Sequence, residues 1–199
     1  MFLLKNLYMK QIITMVVMCM IILPATAQMD SATMMKNWQG YMTPGEAHKQ
    51  MATYVGKWNQ EILMWHAPGM EPEKSKSESE IKMIMGGRYM VETNKGMMMG
   101  MPFEGMNTLA YDNARKKYIS TWVDNVGTGL MVMEGDWDPK TNSITFTGNM
   151  VDPAAGDGST MKMRQVWKPI DKNTHMFTMF GMMPDGSEFK MMEIRSTRK

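Results

Sequence analysis

Cysteine is almost missing from this chain: Cys19 is the single one among 199 residues. It lies in an apolar run near the N-terminus, so the rest of the chain can build neither a disulfide nor a thiolate metal site. Histidine is scarce as well. His48, His66 and His175 are far apart in sequence, and no His-x-x-x-His pair, Gly-x-Ser-x-Gly elbow or phosphate-binding glycine loop accompanies them. Charge of one sign is lacking too. The chain carries 22 basic and 20 acidic residues, and Lys5 and Lys10 in the first segment supply the whole excess. No basic field remains for nucleic acid. No apolar run is long enough to cross a bilayer either. The longest, residues 12–23, falls short of the roughly 20 residues a spanning helix needs.

That short run fits an export signal instead. Lys5 and Lys10 make a positive start, the apolar stretch follows, and Ala25-Thr26-Ala27 is a small-residue cleavage site. Residues 1–27 are therefore expected to be removed. The product would be periplasmic or secreted, with no stable membrane insertion. Residues 28–41, polar with scattered methionines, are expected to form a flexible leader, and residues 42–199 a single domain. The oligomeric state stays open.

What the chain does have is turn chemistry at short intervals. Thr43 can cap a helix over residues 44–54, with Pro44 at its first position, Glu46 completing a capping box and Gly56 as the stop. Ten β-branched or aromatic runs follow, at residues 57–65, 76–85, 88–93, 106–111, 118–123, 130–137, 143–150, 161–167, 175–180 and 188–196. Asp112-Asn113, Asp138-Pro139, Asp171-Lys172-Asn173 and Pro184-Asp185-Gly186 are among the reversals between them. The glycines Gly96, Gly100 and Gly105 mark residues 94–105 as a connection. Sequential hairpins without a long crossover predict an all-β fold: an up-and-down antiparallel β-barrel of about ten strands with one short N-terminal helix. A two-layer sandwich is the alternative. In the second strand Ser75, Ser77, Ser79, Ile81 and Met83 share one face, opposite a row of lysines and glutamates. The same alternation selects Met83, Tyr89, Val91, Leu109, Trp122, Phe146 and Phe177 as the lining for a small apolar or amphipathic ligand.

Methionine is the compositional outlier, with 31 residues, many in Met-Met or Met-x-Met pairs. Thioether sulfur is a soft donor suited to Cu(I) and needs no deprotonation. Two groups are candidates: Met64 with His66, and His175 with Met176 and Met179. The competing reading is that methionine is an unbranched apolar filler exchangeable with leucine, and a third is a sink for oxidants. No other cofactor is implied. Glu104 and Asp124 stand near strand ends, where a general base could sit, but such acids serve more often in turn and rim hydrogen bonds. The balance favours a binding protein over an enzyme.

Gly56-Lys57-Trp58, at the start of the first strand after a short helix, resembles the opening signature of lipocalins and their calycin relatives. The resemblance implies that Trp58 closes one end of the barrel and that a basic residue of the last strand lies over it; Arg195 is the expected one. Pro44-Gly45-Glu46-x-His48, Gly86-Gly87-Arg88-Tyr89, Pro102-Phe103-Glu104-Gly105, Leu109-x-Tyr111-Asp112, Trp122-Val123-Asp124 and Glu134-Gly135 then occur in order. Together they look like the bacterial domain-of-unknown-function family 1579, a calycin-like group, over residues 42–197. Methionines stand where that pattern has leucine, isoleucine and valine. The family has no established activity, so the resemblance implies a fold and a compartment and no reaction.

Overall fold

The structure is a computed structural model that describes residues 30–199 except residue 184. The export-signal reading of residues 1–27 therefore lies outside the described residues. The chain divides into two compact units, one ending at Gln39 and the other spanning Gly40–Lys199.

Helix α1 (Ser31–Met42) occupies most of the stretch expected to be a leader without regular structure. None of its residues is buried, so no amphipathic period announces it. Its signal is the cap. Asp30 Oδ1 accepts the backbone N–H of Ala32 and of Thr33, each at 2.9 Å, which satisfies two of the free donors at the helix start. Helix α2 (Glu46–Ala52) starts later than expected. Gly45 caps it in place of Thr43. Its carbonyl accepts from His48 N and Lys49 N at 3.1 Å, and its own N–H donates to His48 Nδ1 at 3.1 Å. An imidazole thus does the work of the usual capping-box acid.

All ten expected strands are present: β1 (Gly56–Met64), β2 (Glu73–Ile84), β3 (Tyr89–Met98), β4 (Met101–Asp112), β5 (Lys117–Asp124), β6 (Met131–Asp138), β7 (Ser143–Val151), β8 (Thr160–Asp171), β9 (Thr174–Met182) and β10 (Glu188–Arg198). Each pairs antiparallel with its neighbours in sequence, and β10 pairs with β1 to close the cylinder. The fold is the up-and-down barrel that the hairpin spacing predicts. Closure leaves no free sheet edge. One segment differs from expectation. Residues 94–105 are no open connection, because β3 and β4 run on to the two-residue turn Met99-Gly100. Both turn residues have positive φ, +51° and +77°, as a tight hairpin with right-twisted strands requires.

The two ends of the barrel differ. At the end where β1 begins, α2 sits over the cylinder, and Met51, Trp58, Ile81, Tyr118 and Ile144 are buried there. Towards the other end the inward side chains of Ile62, Ser77, Phe103, Trp122, Met131 and Met161 are half-buried. Among the described residues, the loops on that side contain no helix. The α2 end of the barrel is thus the more deeply buried of the two.

Candidate functional site: the barrel interior

Register decides what faces inward. Trp58 stands opposite Ser79 and Gln60 opposite Ser77 on the β1–β2 pair, while Ser79 stands opposite Asn94 and Ile81 opposite Glu92 on the β2–β3 pair. Glu92 in turn faces Asn107, and Asn107 faces Trp122. The inner face of β1 to β5 consequently carries a polar band among apolar residues such as Ile81 and Leu109. Gln60 Nε2 donates to Glu92 Oε1 at 3.2 Å, Ser77 Oγ donates to Gln60 Oε1 at 2.6 Å, and Asn107 Nδ2 donates to Ser120 Oγ at 2.6 Å. Among the described residues no cation pairs with Glu92. Burial pushes its carboxyl pKa up, and the nearby Ser79 hydroxyl pulls the other way. That hydroxyl is buried and makes no hydrogen bond of good geometry.

The facing wall, β6 to β10, is mostly apolar. Met133, Phe146 and Met163 are buried, with Met131, Trp167, Met179 and Met191 packed against them. Gln165, 4% exposed among thioethers, is one of its buried polar side chains, with His175 and Ser196 towards the α2 end. Its Nε2 lies 3.8 Å from Met131 Sδ and 3.8 Å from Met179 Sδ. Two glycines make room for sulfur. A Cβ on Gly148 would lie 2.5 Å from Met133 Sδ, and one on Gly181 would lie 2.7 Å from Met191 Sδ.

At the α2 end Trp58 is fully buried and donates Nε1–H to the Tyr54 carbonyl at 3.0 Å. The guanidinium of Arg198 lies 4.4 Å from the ring centroid and donates to the Val55 and Thr53 carbonyls at 2.8 and 2.9 Å. His175 is 3% exposed, with its ring 4.5 Å from that of Trp58 and 5.6 Å from that of Trp167. Burial and then the Arg198 charge lower its pKa to about 4, and Nδ1 has no hydrogen-bond partner. Imidazole is held neutral there. An open groove of about 550 Å³ lies at the α2 end, between α2 and the ends of β4–β6, lined by Lys49, Tyr111, Lys116, Asp136 and Trp137 among others. Among the described residues, the two buried side-chain polar atoms without a partner, Ser79 Oγ and His175 Nδ1, belong to the interior and not to that groove.

One protein-family model matches residues 43–198, which is most of the chain. The chain belongs to that family. Its description is "Protein of unknown function (DUF1579)". Two solved structures share the architecture. The crystal structure of Rv2717c from M. tuberculosis has a TM-score of 0.55 at 12% identity, covering 79% of this chain and 99% of that one. The S-type phycobiliprotein lyase CPES from Guillardia theta has a TM-score of 0.54 at 10% identity, covering 82% and 96%. At such identities the likeness is one of fold. No curated protein matches the chain.

The family's barrel places the residues singled out from sequence in three ways. Met83, Leu109, Trp122, Phe146 and Phe177 fall on the inward face. Tyr89 and Val91 do not. The turn after β2 pairs Ile84 with Tyr89 and Met83 with Met90, so Met90, Glu92 and Asn94 point inward while Tyr89 and Val91 point out. Apolar alternation chose the wrong face because this interior is partly polar. Arg195 is a second correction. It stands opposite Glu61 and is exposed, whereas β10 continues to Arg198, which stands opposite Trp58. Neither expected metal group is assembled. His66 is exposed and bound to Glu73 Oε2 at 3.0 Å, away from the inward Met64. Met176 points away from His175 and Met179, and His175 is walled in by aromatic rings. The two rim acids are engaged elsewhere. Asp124 accepts from Trp122 Nε1 at 2.7 Å and from Val126 N and Gly127 N, and Glu104 pairs with Lys95. Sequence reading missed Gln60, Glu92, Asn94, Asn107, Gln165 and Arg198. The signal for Glu92 was the Gly86-Gly87 turn, which fixes the phase of β3 once Met83 is placed inward.

Proposed function

We propose that this protein binds a small amphipathic organic molecule inside its barrel, and that it does so outside the cytoplasm after loss of residues 1–27. The observation that carries the reading is the two-sided interior. Gln60, Ser77, Ser79, Glu92, Asn94 and Asn107 form one wall; methionines, Phe146 and Trp167 form the other. A ligand with a polar end and an apolar body meets complementary chemistry on both sides.

The polar wall also selects among ligands. Glu92 is an acid without a neutralising cation, so it accepts from a hydroxyl, amide or ammonium group and repels a carboxylate. Ser79 Oγ, buried beside it, makes no well-formed hydrogen bond and can turn to a ligand. An amine or alcohol on an aliphatic or ring body fits this pairing; a fatty acid does not. An ammonium group prefers ionised Glu92, so its affinity rises with pH through the carboxyl's raised pKa.

Native mass spectrometry of the protein purified from its own host tests the reading. It predicts a retained organic mass that is lost on mild denaturation and absent from the Glu92→Gln variant. A wild-type protein that flies at the bare chain mass, and whose tryptophan fluorescence is unchanged by alkylamines, would count against it.

A further inference from the structure

Four methionine sulfurs of this wall gather around two inward positions, Gln165 and Gly181. Met131 Sδ and Met179 Sδ lie at the same distance, 3.8 Å, from one nitrogen, Gln165 Nε2. They come from β6 and β9, which are not neighbours in the sheet, so one amide nitrogen meets soft donors from two separate strands. A second pair lies one rung away. The position where Gly181 would carry a Cβ is 2.7 Å from Met191 Sδ and 3.8 Å from Met163 Sδ, and the bulge between Lys190 and Met192 is what turns Met191 inward. Leucine would fill the same volumes at a cost typically below about 1.5 kcal/mol. What leucine cannot supply is the lone pair.

We propose that Met131 and Met179, with Met163 and Met191 behind them, form a binding site for a soft monovalent cation, Cu(I) or Ag(I), at the position now taken by the Gln165 amide N–H group. The amide nitrogen is an electropositive group held by two thioethers, and a cation replaces it in kind. Rotation of the amide by a half turn withdraws Nε2 and offers Oε1 to the metal. Thioethers bind soft ions without losing a proton, and the unbranched methionine side chain has the freedom to draw its sulfur inward. Hard and borderline cations have no counterpart: among the described residues no group of three or more His, Cys, Asp or Glu side chains stands together. This site uses a different wall from the polar contacts of the organic ligand and does not depend on them.

The test is titration of the full chain with silver nitrate, and with Cu(I) against bicinchoninate, while the methyl resonances of [methyl-13C]methionine are followed. One equivalent should shift Met131, Met179, Met163 and Met191 together, and zinc should shift none of them. The M131L/M179L double variant should lose at least about ten-fold in affinity, equivalent to about 1.4 kcal/mol. A surface variant, M97L/M99L/M101L, should keep wild-type affinity, because these side chains are exposed on the β3–β4 hairpin. Should the double variant fail to fold, Met179→Leu alone carries the comparison. Shifts confined to the exposed methionines, or unchanged affinity in a folded M131L/M179L or Met179→Leu protein, would overturn the proposal. Glu92→Gln, which the organic-ligand reading expects to lose alkylamine affinity, should keep wild-type silver affinity, and this separates failure of this site from failure of that reading.

Discussion

Glu92 and His175 are titratable groups inside one barrel, and their pH dependences run in opposite directions. As pH rises past the ordinary carboxyl range the unfolded chain ionises Glu92, while the fold, where burial raises its pKa, keeps the proton longer. The fold therefore loses stability with rising pH until the raised pKa is passed. Glu92→Gln should raise the melting temperature at pH 8 and leave it nearly unchanged at pH 4; thermal unfolding at both pH values checks this. His175 acts on the acid side. Its folded pKa of about 4 lies below the ordinary 6.5, so the unfolded chain takes up a proton between those values and the folded chain does not. Stability is full above about pH 6.5 and declines to a floor near pH 4, by about 3 kcal/mol for the whole interval. In His175→Leu this part of the urea-unfolding curve should be flat, whatever the offset at pH 7. A retained acid limb would mean that another group is responsible. Burial disfavours the charged form of Glu92, a cost that packing alone gives no reason to keep.

Among the elements, β10 carries the seal. Arg198 stacks on Trp58 and ties the last strand to the carbonyls that end α2. Gly56, with φ +139°, leaves the space that its guanidinium uses, since a Cβ there would lie 2.8 Å from Nη1. Arg198→Ala should cost about 2 kcal/mol or more in denaturant unfolding, and Arg195→Ala, on the exposed face, less than about 0.5 kcal/mol. Equal effects would contradict the register. Gly105 is the corresponding accommodation towards the other end: a Cβ would lie 2.4 Å from Trp122 Cζ2, so Gly105→Ala should cost about 1–3 kcal/mol by overpacking. At this scale the sequence was legible wherever a turn residue or a repeated apolar face set the phase. β2 and β7 show it, with Ile81 and Met83, and Ile144 and Phe146, on the inward side. Legibility failed at β3, where Tyr89 and Val91 look like core residues but a polar interior claims Glu92 and Asn94. It failed again at the end of β10, where Ser196 and Thr197 look like a strand end although the ladder continues to Arg198. Helix α1 was hidden because it buries nothing.

At the largest scale the closed sheet followed from hairpin spacing, while the chemistry of the barrel interior did not. Hairpin rhythm reports on loops and turns. The content of the interior depends on side chains that meet over more than one strand, as Gln165 of β8 meets Met131 of β6, and no local pattern encodes that meeting. The most direct measurement is calorimetric titration with decylamine and with decanoate at pH 7.5, on the wild-type protein and on Glu92→Gln. The two-sided interior predicts saturable one-to-one binding of decylamine, much weaker binding of decanoate, and at least a ten-fold loss of decylamine affinity in the variant, about 1.4 kcal/mol. Equal affinity for the two probes, or no saturable binding of either by the folded wild-type protein, would contradict it.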